Sequence, residues 1–182
     1  MSLMNLISNQ YPTKDLQEAD AAHHLHPFSD HESLNRDKSR IIVRGEGVFL
    51  WDSDGSRIMD GMAGLWCVNV GYGRTELAEV AAQQMLELPY MSPWLATAEA
   101  PARLAAKLAE LAPDGINAVQ FTCGGSTAVD TALRTVHFVN NRRGLTDKKV
   151  VLAREKGYHG STYLAASVSG KERDLSHFDI LK

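Results

Sequence analysis

A chain of 182 residues with 44% hydrophobic side chains and a net charge of −3 has the size of one ordinary domain or of part of a larger one. The mild charge of mixed sign gives no electrostatic footing for nucleic acid or an anionic membrane, and no apolar run approaches the roughly 20 residues that span a bilayer. Cys67 and Cys123 are the two cysteines; they form no CxxC pair and no disulfide framework, which fits a reducing cytoplasm.

Met1 to Met4 lack a basic stretch leading into an apolar one, so no signal peptide is expected. The segment from Asp15 to Ala22 is a short helix by pattern, and Pro27 after His26 marks an extended or turned stretch. Arg40 to Asp60 reads as a β-meander. Ile41-Ile42-Val43 leads to a turn at Gly45-Glu46-Gly47, Val48 to Trp51 is a second strand, and Asp54-Gly55 is a hairpin turn in which glycine takes the positive φ. Gly61 to Gly73 reads as a glycine-rich loop. Glu76 to Leu88 has helical spacing, with Leu77, Val80, Ala81, Met85 and Leu88 on one face, and Ala98 to Leu111 repeats it through Leu104, Leu108 and Leu111.

Ala118 to Thr122 is a predicted strand, Ser126 to Asn140 a helix with Val129, Ala132, Leu133 and Val136 inward and an Asp130/Arg134 pair outward. Residues 149–153 form a short apolar run of the kind buried on both faces of a parallel sheet, and 161–169 is a further helical or apolar segment. Helices alternating with strands from residue 74 onward imply an α/β architecture with a mainly parallel sheet.

Two motifs carry the chemistry. Phe121 to Asp130 reads as strand, glycine turn and helix. Gly124 and Gly125 let a ligand approach the backbone, the helix start offers unpaired N–H groups and partial positive charge to a phosphate, and Ser126 and Thr127 add hydroxyls. The competing reading is an ordinary helix start capped by Ser or Thr. The spacing matches neither a P-loop nor GxGxxG, which argues against a nucleotide-dependent enzyme. Gly157-Tyr158-His159-Gly160 follows the second predicted strand, where α/β sheets gather ligands. Tyr158 can stack on a planar ring and His159 can hydrogen-bond or shuttle protons; otherwise both are packing residues. Trp66 and Trp94 sit in loops, where aromatic residues line pockets or interfaces as readily as cores. His23, His24, His26 and His31 lack a second ligand pair at zinc spacing, so no metal is expected. Cys123 precedes a helix start, yet both cysteines read as buried structural thiols.

Taken together, His24 to Phe28, Asp60 to Arg74, the glycine turn and Gly157 to Gly160 resemble the class III aminotransferases of the ω-amine:pyruvate type, pyridoxal-phosphate enzymes of fold type I. The resemblance runs from about His23 to the end. It implies an N-terminal part of the small domain over residues 1–60 and the first part of the large cofactor-binding domain over 61–182, an incomplete sheet. It places Gly125 and Ser126 on the phosphate, Tyr158 against the ring with His159 beside it, and Phe28, Leu65, Trp66 and Trp94 in the substrate pocket. The family's Ser-Gly-Ser-Glu-Ala loop is here Gly124-Gly125-Ser126-Thr127-Ala128, which keeps the backbone donors and loses the Glu side chain. The resemblance further implies a cytoplasmic homodimer acting on an amine donor and a keto acid. The Schiff-base lysine and the Asp that holds the ring nitrogen are expected downstream of this chain, so no catalytic residue falls within it and the chain alone is expected to be inactive. The alternative is a non-catalytic protein that keeps only the pyridoxal-phosphate seat.

Overall fold

The computed structural model describes residues 11–180; the N-terminal residues on which the leader reading rests lie outside that range. The described residues belong to two units, one ending at Tyr90 and one beginning at Met91. Among them, no helix is long and apolar enough to cross a membrane.

In the first unit, α1 (Thr13–His23) and α2 (His31–Asp37) precede a three-stranded antiparallel meander of β1 (Ile42–Glu46), β2 (Phe49–Asp52) and β3 (Arg57–Met59). Asp30 caps α2 by accepting the Glu32 amide at 3.2 Å, the usual N-cap device. The register pairs Gly45 with Leu50 and Leu50 with Ile58, and an irregularity between Ile42 and Arg44 bends the first strand. The Asp54-Gly55 turn forms as expected, with Gly55 at φ +85°. Asp52 builds it: the buried carboxylate accepts the amides of Asp54 and Ser56 at 3.2 and 2.8 Å. The first turn falls later than the sequence suggests, because Gly45 and Glu46 stay in β1 and Gly47 takes the positive φ. Arg44 lies 4.1 Å over the Trp51 ring and Arg57 4.5 Å over Phe49, so cations cover the aromatic residues of this small sheet. A short turn, α3 (Ala63–Trp66), and the helix α4 (Thr75–Glu87) complete the unit.

The second unit holds α5 (Glu99–Leu111), the long α6 (Gly125–Arg142), α7 (Tyr163–Ser167) and α8 (Glu172–Leu175). Pro101 sits in the first turn of α5, where its missing N–H costs nothing. The main packing here is α7 on α6. Ala165 of α7 is the sole buried apolar residue among those described.

Three expectations change. Neither 118–122 nor 149–153 forms a strand, and Val150 and Leu152 are 87% and 93% exposed. An apolar run becomes a strand only when neighbours accept its backbone groups, and the described residues supply none. The inward faces foreseen for the helices are likewise uncovered: Val80, Met85, Leu104, Leu111 and Val136 are all exposed. Amphipathic spacing makes a stripe, but a second layer is needed to bury it. Cys67 and Cys123 are also exposed rather than buried, since both lie at element ends with nothing packed over them.

Candidate functional site

The start of α6 is the glycine turn read from the sequence. Its cap residue is Gly124, and no side chain caps the helix. The ordinary capped-helix reading therefore fails. Thr127 Oγ donates to the Gly124 carbonyl at 2.8 Å, and Ser126 Oγ accepts the Ser161 amide at 3.1 Å, which leaves the Ser126 proton for another acceptor. A Cβ built on Gly124 or Gly125 would meet nothing within 4 Å, and neither backbone needs a positive φ. The fold thus does not require glycine at these two positions, and the space beside both Cα atoms is open. An uncapped helix start with an unspent hydroxyl proton and no Cβ in the way has the chemistry that suits a phosphate.

The Ser161–Ser126 bond brings the two motifs read from the sequence together across 35 residues. Gly160 makes the approach possible. Its φ is +136°, and a Cβ there would stand 2.6 Å from Ser126 Oγ and 2.8 Å from Ser126 Cα. Asp130 fastens the same junction: its Oδ1 accepts the Thr162 hydroxyl at 2.8 Å and the Ala165 amide at 2.9 Å. The expected surface pair with Arg134 is replaced by this tie, because a carboxylate facing an uncapped helix start gains two charge-assisted hydrogen bonds. The His159 amide donates to Ser169 Oγ at 3.0 Å, and the Gly170 amide donates to the Gly157 carbonyl at 2.9 Å. His159 folds back so closely that a Cβ on Gly157 would lie 2.9 Å from its Nε2. Tyr158 keeps 49% of its surface exposed, and Lys171 stands 5.8 Å from its ring centroid. The Gly170 contact that brings Lys171 round is not visible in local spacing.

Three of the four residues expected to wall the pocket share a backbone property, and the fourth, Trp94, precedes a residue that has it. Phe28, Leu65 and Trp66 have φ values of +55°, +60° and +71°, and Leu95, next to Trp94, has +62°. Left-handed conformations cost non-glycine residues about 1–2 kcal/mol each and cluster at functional sites. Ala63 to Trp66 all have positive φ, so the predicted loop contains a left-handed turn, closed by the Trp66 amide on the Met62 carbonyl at 2.8 Å. Trp66 and Trp94 are 83% and 81% exposed.

Asp60 and Tyr72, both in the segment that carries the family resemblance but given no role there, hold that turn. The Asp60 carboxylate accepts the Tyr72 hydroxyl at 2.6 Å and the amides of Met62 and Gly64 at 2.9 and 2.7 Å. These bonds, the tyrosine's first, hold the Asp60 carboxyl below the usual range and push the Tyr72 phenol up. Tyr72 and Gly47 exchange backbone bonds at 2.8 and 3.0 Å, and the Tyr72 ring lies so close to Gly45 that a Cβ there would sit 2.7 Å from it. The loop is therefore anchored to the meander by one residue at its far end.

These features set an uncapped helix start against the Gly-Tyr-His-Gly loop within the second unit. The model of the family described as Aminotransferase class-III matches residues 32–179, and the chain belongs to that family. It is 48% identical over 168 residues to the putrescine–pyruvate aminotransferase of Pseudomonas aeruginosa, covering 92% of this chain and 37% of that protein. It is 38% identical over 174 residues to the diaminobutyrate–2-oxoglutarate transaminase of Halomonas elongata, covering 92% and 36%. Among solved structures, an (S)-enantioselective omega-transaminase from Thermomicrobium roseum superposes with a TM-score of 0.90 at 37% identity, covering 93% of this chain and 38% of that one. The structural neighbours have fold type I, of which this chain carries a part, and the family depends on pyridoxal phosphate. The chain spans a little over a third of the length of these relatives.

Proposed function

We infer that this chain forms the phosphate seat, the ring-stacking loop and part of the substrate wall of an aminotransferase that moves an amino group from an ω-amine, polyamine or β-amino acid to pyruvate or a similar keto acid. The observation that carries this reading is the 3.1 Å bond from the Ser161 amide to Ser126 Oγ, which sets the Gly-Tyr-His-Gly loop against an uncapped helix start. The first-turn amides at Gly125 and Ser126 hold the phosphate, and the Ser126 hydroxyl adds a donor. Tyr158 stacks on the pyridine ring. His159, turned back over Gly157, supports the loop from behind. Phe28, Leu65, Trp66 and Trp94 exclude water and shape the donor side. When bound, pyridoxal phosphate supplies the electron-withdrawing ring that eases loss of a proton from the donor carbon.

In this reading residues 1–60 belong to the small domain and 61–182 to the large one, and the enzyme is a cytoplasmic homodimer with a shared site. The relatives named for putrescine and diaminobutyrate support a diamine-like donor. The test is to add pyridoxal phosphate to this chain and to a protein of the relatives' full length, reduce with borohydride, and map cofactor mass by mass spectrometry. One lysine labelled in the longer protein and none in the 182-residue chain is the expected result. A longer protein without a labelled lysine would overturn the assignment.

A further inference from the structure

A second polar cluster lies in the first unit, at residues to which the amino-transfer reading assigns no role. Asp20 and His24 are four residues apart at the end of α1, so they share one helix face. His26 returns to the same carboxylate from the turn before Pro27. His24 Nδ1 lies 2.8 Å from Asp20 Oδ1, and His26 Nε2 lies 3.0 and 2.9 Å from the two carboxylate oxygens. The three potential ligand atoms all lie within 4.8 Å of one another. Ser39 Oγ donates to Asp20 Oδ2 at 2.6 Å, and the Gln17 amide holds the Ser39 carbonyl at 2.9 Å. The Asp20 and His26 side chains are 17% and 25% exposed, and that of His24 is 61% exposed.

We propose that Asp20, His24 and His26 form a binding site for a divalent first-row transition metal, with Ser39 orienting the carboxylate. Metal–nitrogen and metal–oxygen bonds of about 2.0–2.2 Å at tetrahedral angles put neighbouring donors roughly 3.3 Å apart, so the carboxylate–imidazole separations of 2.8–3.0 Å need a small spreading to admit the ion, with the two imidazole nitrogens within 4.8 Å of each other. Two imidazoles and one carboxylate are the donor set of zinc and its neighbours rather than of magnesium or calcium, which take oxygen. One negative charge partly offsets the dication. The Ser39 hydroxyl supplies the outer hydrogen bond that ligating carboxylates receive. Three protein donors leave a coordination position for water. The ion would tie the end of α1 to the segment at His26, and through Ser39 to the approach to β1. The expectation of no metal rested on histidine spacing alone. The ligand it lacked is an aspartate, and neither His23 nor His31 belongs to the set.

The experiment is a titration of the chelator-treated 182-residue chain with Zn²⁺ by calorimetry and with Co²⁺ by visible absorption, in the presence of excess Mg²⁺. One equivalent should bind, with cobalt d–d bands. His24→Ala and His26→Ala should each weaken binding about 100-fold or more, beyond the effect of removing an outer partner, while His23→Ala should leave it within about twofold. His26→Gln keeps an N–H donor for Asp20 but removes a good ligand, so it should retain the wild-type far-UV circular dichroism and lose the metal. Absence of saturable binding at one equivalent, or undiminished binding in His24→Ala or in a folded His26→Gln, would overturn the proposal. Neither outcome touches the borohydride test of amino transfer.

Discussion

Replacing Gly160 by alanine tests the junction between the loop and the helix start. The added Cβ would sit 2.6 Å from Ser126 Oγ, 2.7 Å from Ala165 Cβ and 2.8 Å from Ser126 Cα, against an ordinary carbon contact of about 3.5–4.0 Å. Two of those three atoms are a backbone carbon and a short methyl that cannot swing away. Overpacking of this kind costs about 1–3 kcal/mol, and forcing a non-glycine residue to φ +136° adds about 1–3 kcal/mol. Relaxation of the loop will recover part of this, so a net cost of about 3 kcal/mol is expected, roughly a 150-fold rise in local opening. Amide hydrogen exchange reads it directly, because the Ser161 and Ala165 amides donate to Ser126 and Asp130 across the junction. Gly124→Ala is the control: its Cβ meets nothing within 4 Å and its φ of 177° suits any residue. Equal exchange at these two amides in both variants would refute the packing argument.

Gly125→Ala should leave thermal unfolding within about 0.5 kcal/mol, since no protein atom opposes the new Cβ. In the full-length protein it should weaken pyridoxal phosphate about tenfold, near the worth of one charge-assisted hydrogen bond; an absorbance titration decides it. Asp130→Ala removes the shared acceptor of Thr162 and Ala165 and should cost about 2–4 kcal/mol, seen as loss of Ala165 amide protection before global unfolding. The Asp60–Tyr72 bond should hold across a bounded pH range. A lowered carboxylate value means its contribution is full above the ordinary value of 3.8 and fades as pH falls below it. A raised phenol value means the contribution is present below 10.0 and lost as pH rises through the elevated value. Tyrosine absorbance near alkaline pH should therefore show one late-titrating phenol that titrates normally in Asp60→Asn.

What the sequence reveals and what it hides divide by the range of the interaction. The Asp54-Gly55 turn, the helix periodicities and the glycine turn before α6 are local, and each appears where its residues suggest. The strands at 118–122 and 149–153 do not, because a ladder depends on partners that no window of ten residues contains. The same holds at the site. Gly125, Ser126, Tyr158 and His159 are proposed from motif and family pattern, and the Ser161–Ser126 bond joins their two segments. The tie from Asp130 to Thr162 spans 32 residues, and i,i+4 spacing pointed instead to Arg134. The Asp60–Tyr72 bond was invisible for a like reason: an acid and a tyrosine twelve residues apart signal no contact until the left-handed turn between them brings them together.

Ala165 as the sole buried apolar residue among those described has a calorimetric consequence. Globular chains gain about 12–15 cal/mol/K of heat capacity per residue on unfolding, nearly all from apolar surface newly wetted. With the stripes of α4 and α5 already wet, the 182-residue chain should melt with a much smaller increment, and its stability should respond weakly to urea. The helices can be present in full while that increment is missing, so scanning calorimetry, rather than circular dichroism, will register the moment a second layer closes over them.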